Sequence, residues 1–120
     1  MYRYLLKSKI HGALITDADI RYEGSLTIDE NLMRAANILE HERVVIWDIT
    51  NGARIETYAI KGRAGSGTVC ANGAAAHHIK KGDEIIIATF ASYAEDKEVA
   101  GHEPIKIFVD KNNKIKMNQN

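Results

Sequence analysis

The segment Tyr22-Glu23-Gly24-Ser25 places a hydroxyl directly after the least hindered carbonyl a peptide can offer. Glycine has no Cβ, so the Gly24 carbonyl is open to attack by Ser25 Oγ, and its backbone tolerates strained angles. That chemistry is self-cleavage. The ordinary alternative is a strand-end turn, because Gly-Ser is a common turn dipeptide. Further along stand Arg54 and the pair Thr57-Tyr58. At the two-residue period of a strand, Arg54 and Tyr58 share a face while Thr57 points the other way. Arg54 suits a bidentate carboxylate clamp, and Tyr58 suits a hydroxyl donor. An exposed arginine beside a strand aromatic would look the same. Asn72 precedes the small residues Gly73, Ala74, Ala75 and Ala76. Such a run fits a tight turn or helix start, and equally a loop whose backbone N–H groups a ligand can approach. Lys9 and His11 lie on the polar face of the first strand, which is ordinarily just solvated.

Other combinations exclude chemistry. His41, His77, His78 and His102 match no metal-ligand spacing, so no metal site is read. Gly62, Gly65 and Gly67 lack the Gly-Lys-Ser/Thr ending of a phosphate loop. Cys70 reads as a small core residue, and a lone cysteine without an intramolecular disulfide fits a reducing compartment. With 16 basic and 16 acidic side chains there is no basic excess for nucleic acid. The longest strongly apolar runs, 44–47 and 85–88, are too short to span a bilayer. Lys7 and Lys9 interrupt the first ten residues, so a signal peptide is not expected. The expectation is a cytoplasmic protein with neither membrane nor nucleic-acid partner.

The elements that must position these residues are mostly strands. A length of 120 residues argues for one domain. Strands are expected over 2–16 and 20–25, then one helix over 29–39 after the capping-box spacing of Thr27 and Glu30. Strands at 44–50 and 53–60 flank Asn51-Gly52, a hairpin signal. A loop at 62–67, a short strand at 68–71 and a turn with one helical turn at 72–78 follow. A strand apolar on both faces is expected at 84–92, a last strand at 105–109 and a polar tail at 111–120. Short strands around a single helix imply a β-barrel.

Together the motifs say more than any one of them. Lys9-Ile10-His11, Thr16, Ala18-Asp19 and Tyr22-Glu23-Gly24-Ser25 resemble the N-terminal signature of the aspartate 1-decarboxylase family. Asn51-Gly52, Arg54, Thr57-Tyr58-Ala59-Ile60, Gly65-Ser66, Asn72 through His77 and Gly82-Asp83 continue the likeness, which covers roughly residues 1–90. The resemblance implies a mainly β fold, a small double-psi β-barrel with one or two short helices, assembled as a homotetramer with active sites near subunit boundaries. It implies cleavage between Gly24 and Ser25 into fragments 1–24 and 25–120, leaving a pyruvoyl group at position 25 as the covalent cofactor. A protein-bound ketone is the electron sink that amino-acid decarboxylation needs. The substrate implied is L-aspartate, the product β-alanine, on the route to pantothenate and coenzyme A. Lys9 and Arg54 would hold substrate carboxylates, and Tyr58 would reprotonate the carbanion. Thr57 and Asn72 would support cleavage and substrate, with backbone contacts from Gly73, Ala74 and Ala75. His11 and Tyr22 would line the cleavage region. A non-catalytic barrel that only binds, or a pyruvoyl decarboxylase for another small acidic amino acid, are the alternatives. A maturation factor is left open.

Overall fold

Alternating apolar and polar residues fold most of the chain into strands. They are β1 (Tyr2–Leu14), β2 (Asp17–Asp19), β3 (Ser25–Asp29), β4 (Arg43–Asp48), β5 (Arg54–Gly62), β6 (Val69–Asn72), β7 (Glu84–Ala94) and β8 (Ile105–Phe108). In this computed structural model, which describes residues 1–117, they form one sheet in the order β2-β6-β3-β5-β4-β7-β1-β8. β2 and β8 stay unpaired with each other, so the sheet is barrel-like but unclosed. Parallel pairs, β3 with β5, β2 with β6 and β1 with β8, mix with antiparallel ones, of which β4–β5 is a hairpin. The inward parity carries Ile10, Leu26, Ile28, Val44, Ile46, Ile85 and Ile87, all fully buried. Each such side chain contributes about 1.5–3 kcal/mol by leaving water.

The one α-helix, α1 (Glu30–Ala35), is shorter than the expected 29–39. Asp29, rather than Thr27, is its cap, accepting from Asn31 N at 2.8 Å. Asn37 at φ 55 ends it, with Asn37 N on Arg34 O and Ile38 N on Met33 O. That is a Schellman motif, with asparagine where glycine is commonest. Asp29 also accepts from Gly65 N and Gly67 N. Burial alone would raise the Asp29 pKa, but the N–H groups of Gly67, Asn31 and Gly65 hold it below the ordinary carboxylate value.

Three expectations need correction. The strand expected at 20–25 is a turn: Asp19 accepts Arg21 N on its side chain and Tyr22 N on its carbonyl, and β3 starts only at Ser25. The 84–92 segment is apolar on both faces, yet its outer face is covered only in part: Ala88 is buried, whereas Phe90 is 42% exposed. The tail expected from 111 is anchored. Asn113, at φ 59 and buried, accepts Leu14 N and donates to Leu14 O and Gly67 O, while Val109 bridges Ile115. Residues 118–120 of that expectation lie outside the described residues. No helix among the described residues is long and apolar enough to cross a membrane.

Candidate active site

β3 begins at Ser25, and its side chain is fully buried. Asn72 stands opposite in the antiparallel ladder with β6. Its Nδ2 donates to Ser25 Oγ at 3.0 Å and to Thr27 Oγ1 at 2.9 Å, and its Oδ1 lies 3.2 Å from Cys70 Sγ. The Ser25 hydroxyl proton has only Glu23 O, at 3.4 Å, a long and weak bond. The oxygen is therefore fixed while its proton is loosely held. Burial raises the Cys70 thiol pKa, and Asp17 and Asp19 raise it further, so Cys70 is no thiolate nucleophile beside it.

Gly73 opens a 3₁₀ turn, Gly73–His77, at φ 66. A Cβ there would fall 2.6 Å from Gly24 Cα, 2.7 Å from Gly24 N and 2.8 Å from Tyr22 O. Only glycine lets the 22–24 backbone lie against the turn. Gly24 is different. It has no positive φ, and a Cβ on it would meet nothing within 4 Å, so packing does not demand a glycine there. Ala75 and Ala76 are buried, Ala74 is exposed, and the Tyr22 side chain is 60% exposed.

β5 runs parallel to β3, with Ala59 beside Leu26. One residue back, strand alternation puts Tyr58 on the same outer face as Ser25, and Thr57 on the inner side opposite buried Val44. Tyr58 is half-buried, its ring 6.5 Å from that of His41.

Arg54, Lys9 and His11 lie elsewhere on that outer face. The rungs join Arg54 to Trp47, Trp47 to Ile86 and Ile86 to His11. The Arg54 guanidinium sits 4.9 Å from the centre of the Trp47 ring, a cation–π contact. Beside it opens a cleft of about 600 Å³, lined by Tyr4, Trp47, Arg54, Ala88 and Phe90 among others. Lys9 is flanked by Ala88 and Lys106. His11 packs 5.3 Å from Phe108, and its buried Nδ1 has no partner. Four residues along β5 separate Arg54 from Tyr58 by about 13 Å, and three strand spacings separate Lys9 from Arg54's strand by about 14 Å. One chain thus spreads these residues along the sheet. Ser25, Asn72, Tyr58, Thr57 and Gly73–Ala75 stand together, while Arg54 and, beyond it across the sheet, His11 and Lys9 stand apart from them.

Sequence reasoning missed Trp47, which the Asn51-Gly52 hairpin register sets opposite Arg54 and could have revealed. It also missed Thr27, the second acceptor of the Asn72 amide, because β3 was read as ending at Ser25.

Comparison with known proteins gives a consistent result. The family described as aspartate decarboxylase matches residues 1–116, so the likeness runs well past residue 90 and through the anchored Asn113. Aspartate 1-decarboxylase of Myxococcus xanthus (strain DK1622) is 57% identical over 115 residues, covering 96% of this chain and 88% of that protein. The aspartate 1-decarboxylase of Thermoanaerobacter pseudethanolicus is 54% identical over 114 residues, covering 95% of this chain and 97% of its own. That of Burkholderia thailandensis is 53% identical over 116 residues, covering 97% and 91%.

Proposed function

This chain belongs to the aspartate decarboxylase family, and we propose that it converts L-aspartate to β-alanine and carbon dioxide with a ketone made from its own Ser25. The observation carrying this reading is the seat of Ser25: a buried hydroxyl, its oxygen held by Asn72 at 3.0 Å, directly after a glycine that packing does not require. These residues fit a pyruvoyl group at position 25. The atom that would become its ketone carbon is the Ser25 Cα, at the start of a strand facing Tyr58.

Self-cleavage needs no outside oxidant. Ser25 Oγ attacks the Gly24 carbonyl carbon, the C–N bond breaks as the C–O bond forms, and the hydroxyl proton ends on the freed Ser25 amine. Removal of the Ser25 α-proton then expels the Gly24 carboxylate. Water hydrolyses the resulting enamine, releasing ammonia and leaving the ketone. Asn72 and Thr27 keep the serine oxygen aimed, and Thr57 flanks the scissile peptide from the inner side.

The ketone, once made, supplies the electron sink for the charge left when carbon dioxide departs. Arg54 offers a planar fork to a substrate carboxylate, stacked on Trp47 so that it holds one direction. Lys9 offers a second positive charge for the other carboxylate, Gly73 to Ala75 offer backbone, and Tyr58 offers the proton that Cα must regain. His11 and Tyr22 border this space. The separation of Arg54 and Lys9 from Ser25 along the sheet supports active sites shared between copies of a homotetramer. The uncovered outer face, with Tyr4 at 73% and Phe90 at 42% exposure beside Arg54, supports the same assembly. We place the reaction in the cytoplasm.

Denaturing mass spectrometry tests the reading. The purified protein should separate into fragments 1–24 and 25–120, the latter with a blocked terminus, while Ser25→Ala stays whole and inactive. An uncut wild-type protein that decarboxylates aspartate would end it.

A further inference from the structure

The Asn51-Gly52 hairpin is built around a carboxylate. Asp48 Oδ1 accepts Thr50 N at 2.9 Å and Asn51 N at 3.1 Å, and its own backbone N–H and C=O take Ala53 O and Gly52 N, both at 2.8 Å. Those bonds close the last turn before Arg54. Asp48 is 3% exposed, and its second oxygen, Oδ2, is buried with no donor. What faces it is another acid. Asp83, 8% exposed, holds the next turn through Lys80 N on its Oδ2 at 3.0 Å, and it stands two residues before Ile85, the rung partner of Asp48, so the two buried carboxyls are neighbours.

Two neighbouring buried carboxyls can hydrogen-bond to each other only with a proton between them. The surroundings offer no cation in its place. Among the described residues, no salt bridge reaches Asp48 or Asp83. From the preceding segment, Lys80 turns its ammonium to Ala76 O, and Lys81, His77 and His78 are exposed, His78 meeting this hairpin only through its carbonyl on Asn51 Nδ2. From β7, Glu84 adds an acid, its backbone N–H on Thr50 Oγ1. From the residue after β1, Ile15, the contact is its backbone N–H on Asp83 O.

We propose that Asp48 and Asp83 share one proton, and that this pair is a positioning device for Arg54, setting the turn from which the substrate clamp springs. The role of Arg54 rests on the function proposed above; the shared proton does not. Burial, then the Asp83 hydrogen bond, pushes the Asp48 acid up to about 6. The sign follows: a folded-state value above the unfolded one adds stability that is complete below pH about 4 and is lost as pH climbs through about 6. Above that, two buried negative charges oppose each other and the turn loosens under Arg54.

Asp48→Asn separates the outcomes, because its amide donates permanently to Asp83 while its oxygen keeps the Thr50 and Asn51 bonds. Melting temperature is measured from pH 4.5 to 8 for the wild type, Asp48→Asn and Asp83→Asn. Asp48→Asn should exceed the wild type on the order of 5 °C at pH 8, the difference vanishing towards pH 4.5. Asp83→Asn, which can donate to Asp48, should also flatten the profile. On the processed enzyme, KM for aspartate should rise severalfold across pH 6 in the wild type and not in Asp48→Asn, with a smaller change in kcat. Identical melting profiles in all three proteins would overturn the shared proton. Flattened melting with an unaltered KM inflection would overturn the positioning role. An enzyme without activity on aspartate would sink the function while leaving the melting result to stand or fall alone.

Discussion

Ser25 and Tyr58 are neighbours on adjacent parallel strands, and their separate duties can be dissected. The phenol hydroxyl can donate and accept, whereas the ring alone can only pack. Tyr58→Phe should therefore cleave normally, because Ser25 keeps Asn72 and the Gly24 carbonyl. Turnover should fall about 10²–10⁴-fold, the range for a lost general acid. Fragment masses and kcat on one preparation check this, and a processed variant turning over within a few-fold of wild type would leave the proton to water. The face shared by Arg54 and Tyr58 was legible from alternation alone, since β5 pairs with β4 without a bulge from Arg54 to Tyr58. The partners of Ser25 were not. Asn72 lies 47 positions away, and only the β3–β6 ladder brings them together.

At the level of elements, the departures from expectation come from side chains that compete with regular structure. Asp19 folds 20–22 into a turn by accepting Arg21 N, and Asn37 halts the helix by taking a left-handed conformation. Hydrophobic spacing carried the helix on to Leu39 because it cannot see either effect. The same competition makes the 22–24 turn depend on its neighbour. Gly73→Ala sets a methyl carbon 2.6 Å from Gly24 Cα at a φ of 66, so the turn must move. Cleavage should slow at least tenfold or stop, while a Gly52→Ala control, with nothing within 4 Å of its new Cβ, meets only the cost of its own φ. Time-resolved fragment analysis distinguishes them. Equal cleavage rates would mean that the approach of the turns does not matter.

Across the whole molecule, what sequence could not convey is distance. Lys9, Arg54 and Ser25 read as one list of chemically compatible residues, yet the strand order sets them apart on the sheet. If Arg54 and Tyr58 meet only between copies, mixed oligomers should complement each other. Arg54→Ala and Tyr58→Phe chains, each nearly inactive alone, should recover up to about a quarter of wild-type activity when co-expressed, since random pairing of two patches leaves that share of sites intact. Recovery no greater than the sum of the separate variants would mean that Arg54 and Tyr58 serve one site from the same chain. The parts that sequence did convey, the β-rich plan and the hairpin, depend on local alternation and turn chemistry. The 1–116 match shows that the anchored segment around Asn113 belongs to the family pattern too.

The position of β1 between β7 and β8 has a further consequence. A cut after Gly24 would leave β1 bonded to β7 along its length and to β8 from Ser8 to His11, so the short fragment would stay in place. Unfolding, however, would change molecularity: one continuous chain gives one unfolded species, a cut chain gives two. Stability then gains a dependence on concentration. Two separated pieces have no tether to return a central strand to its slot, and no serine remains at position 25 to repeat the reaction. The finished structure would be a destination reached once, from an intact precursor, and kept afterwards by the height of the barrier to leaving it.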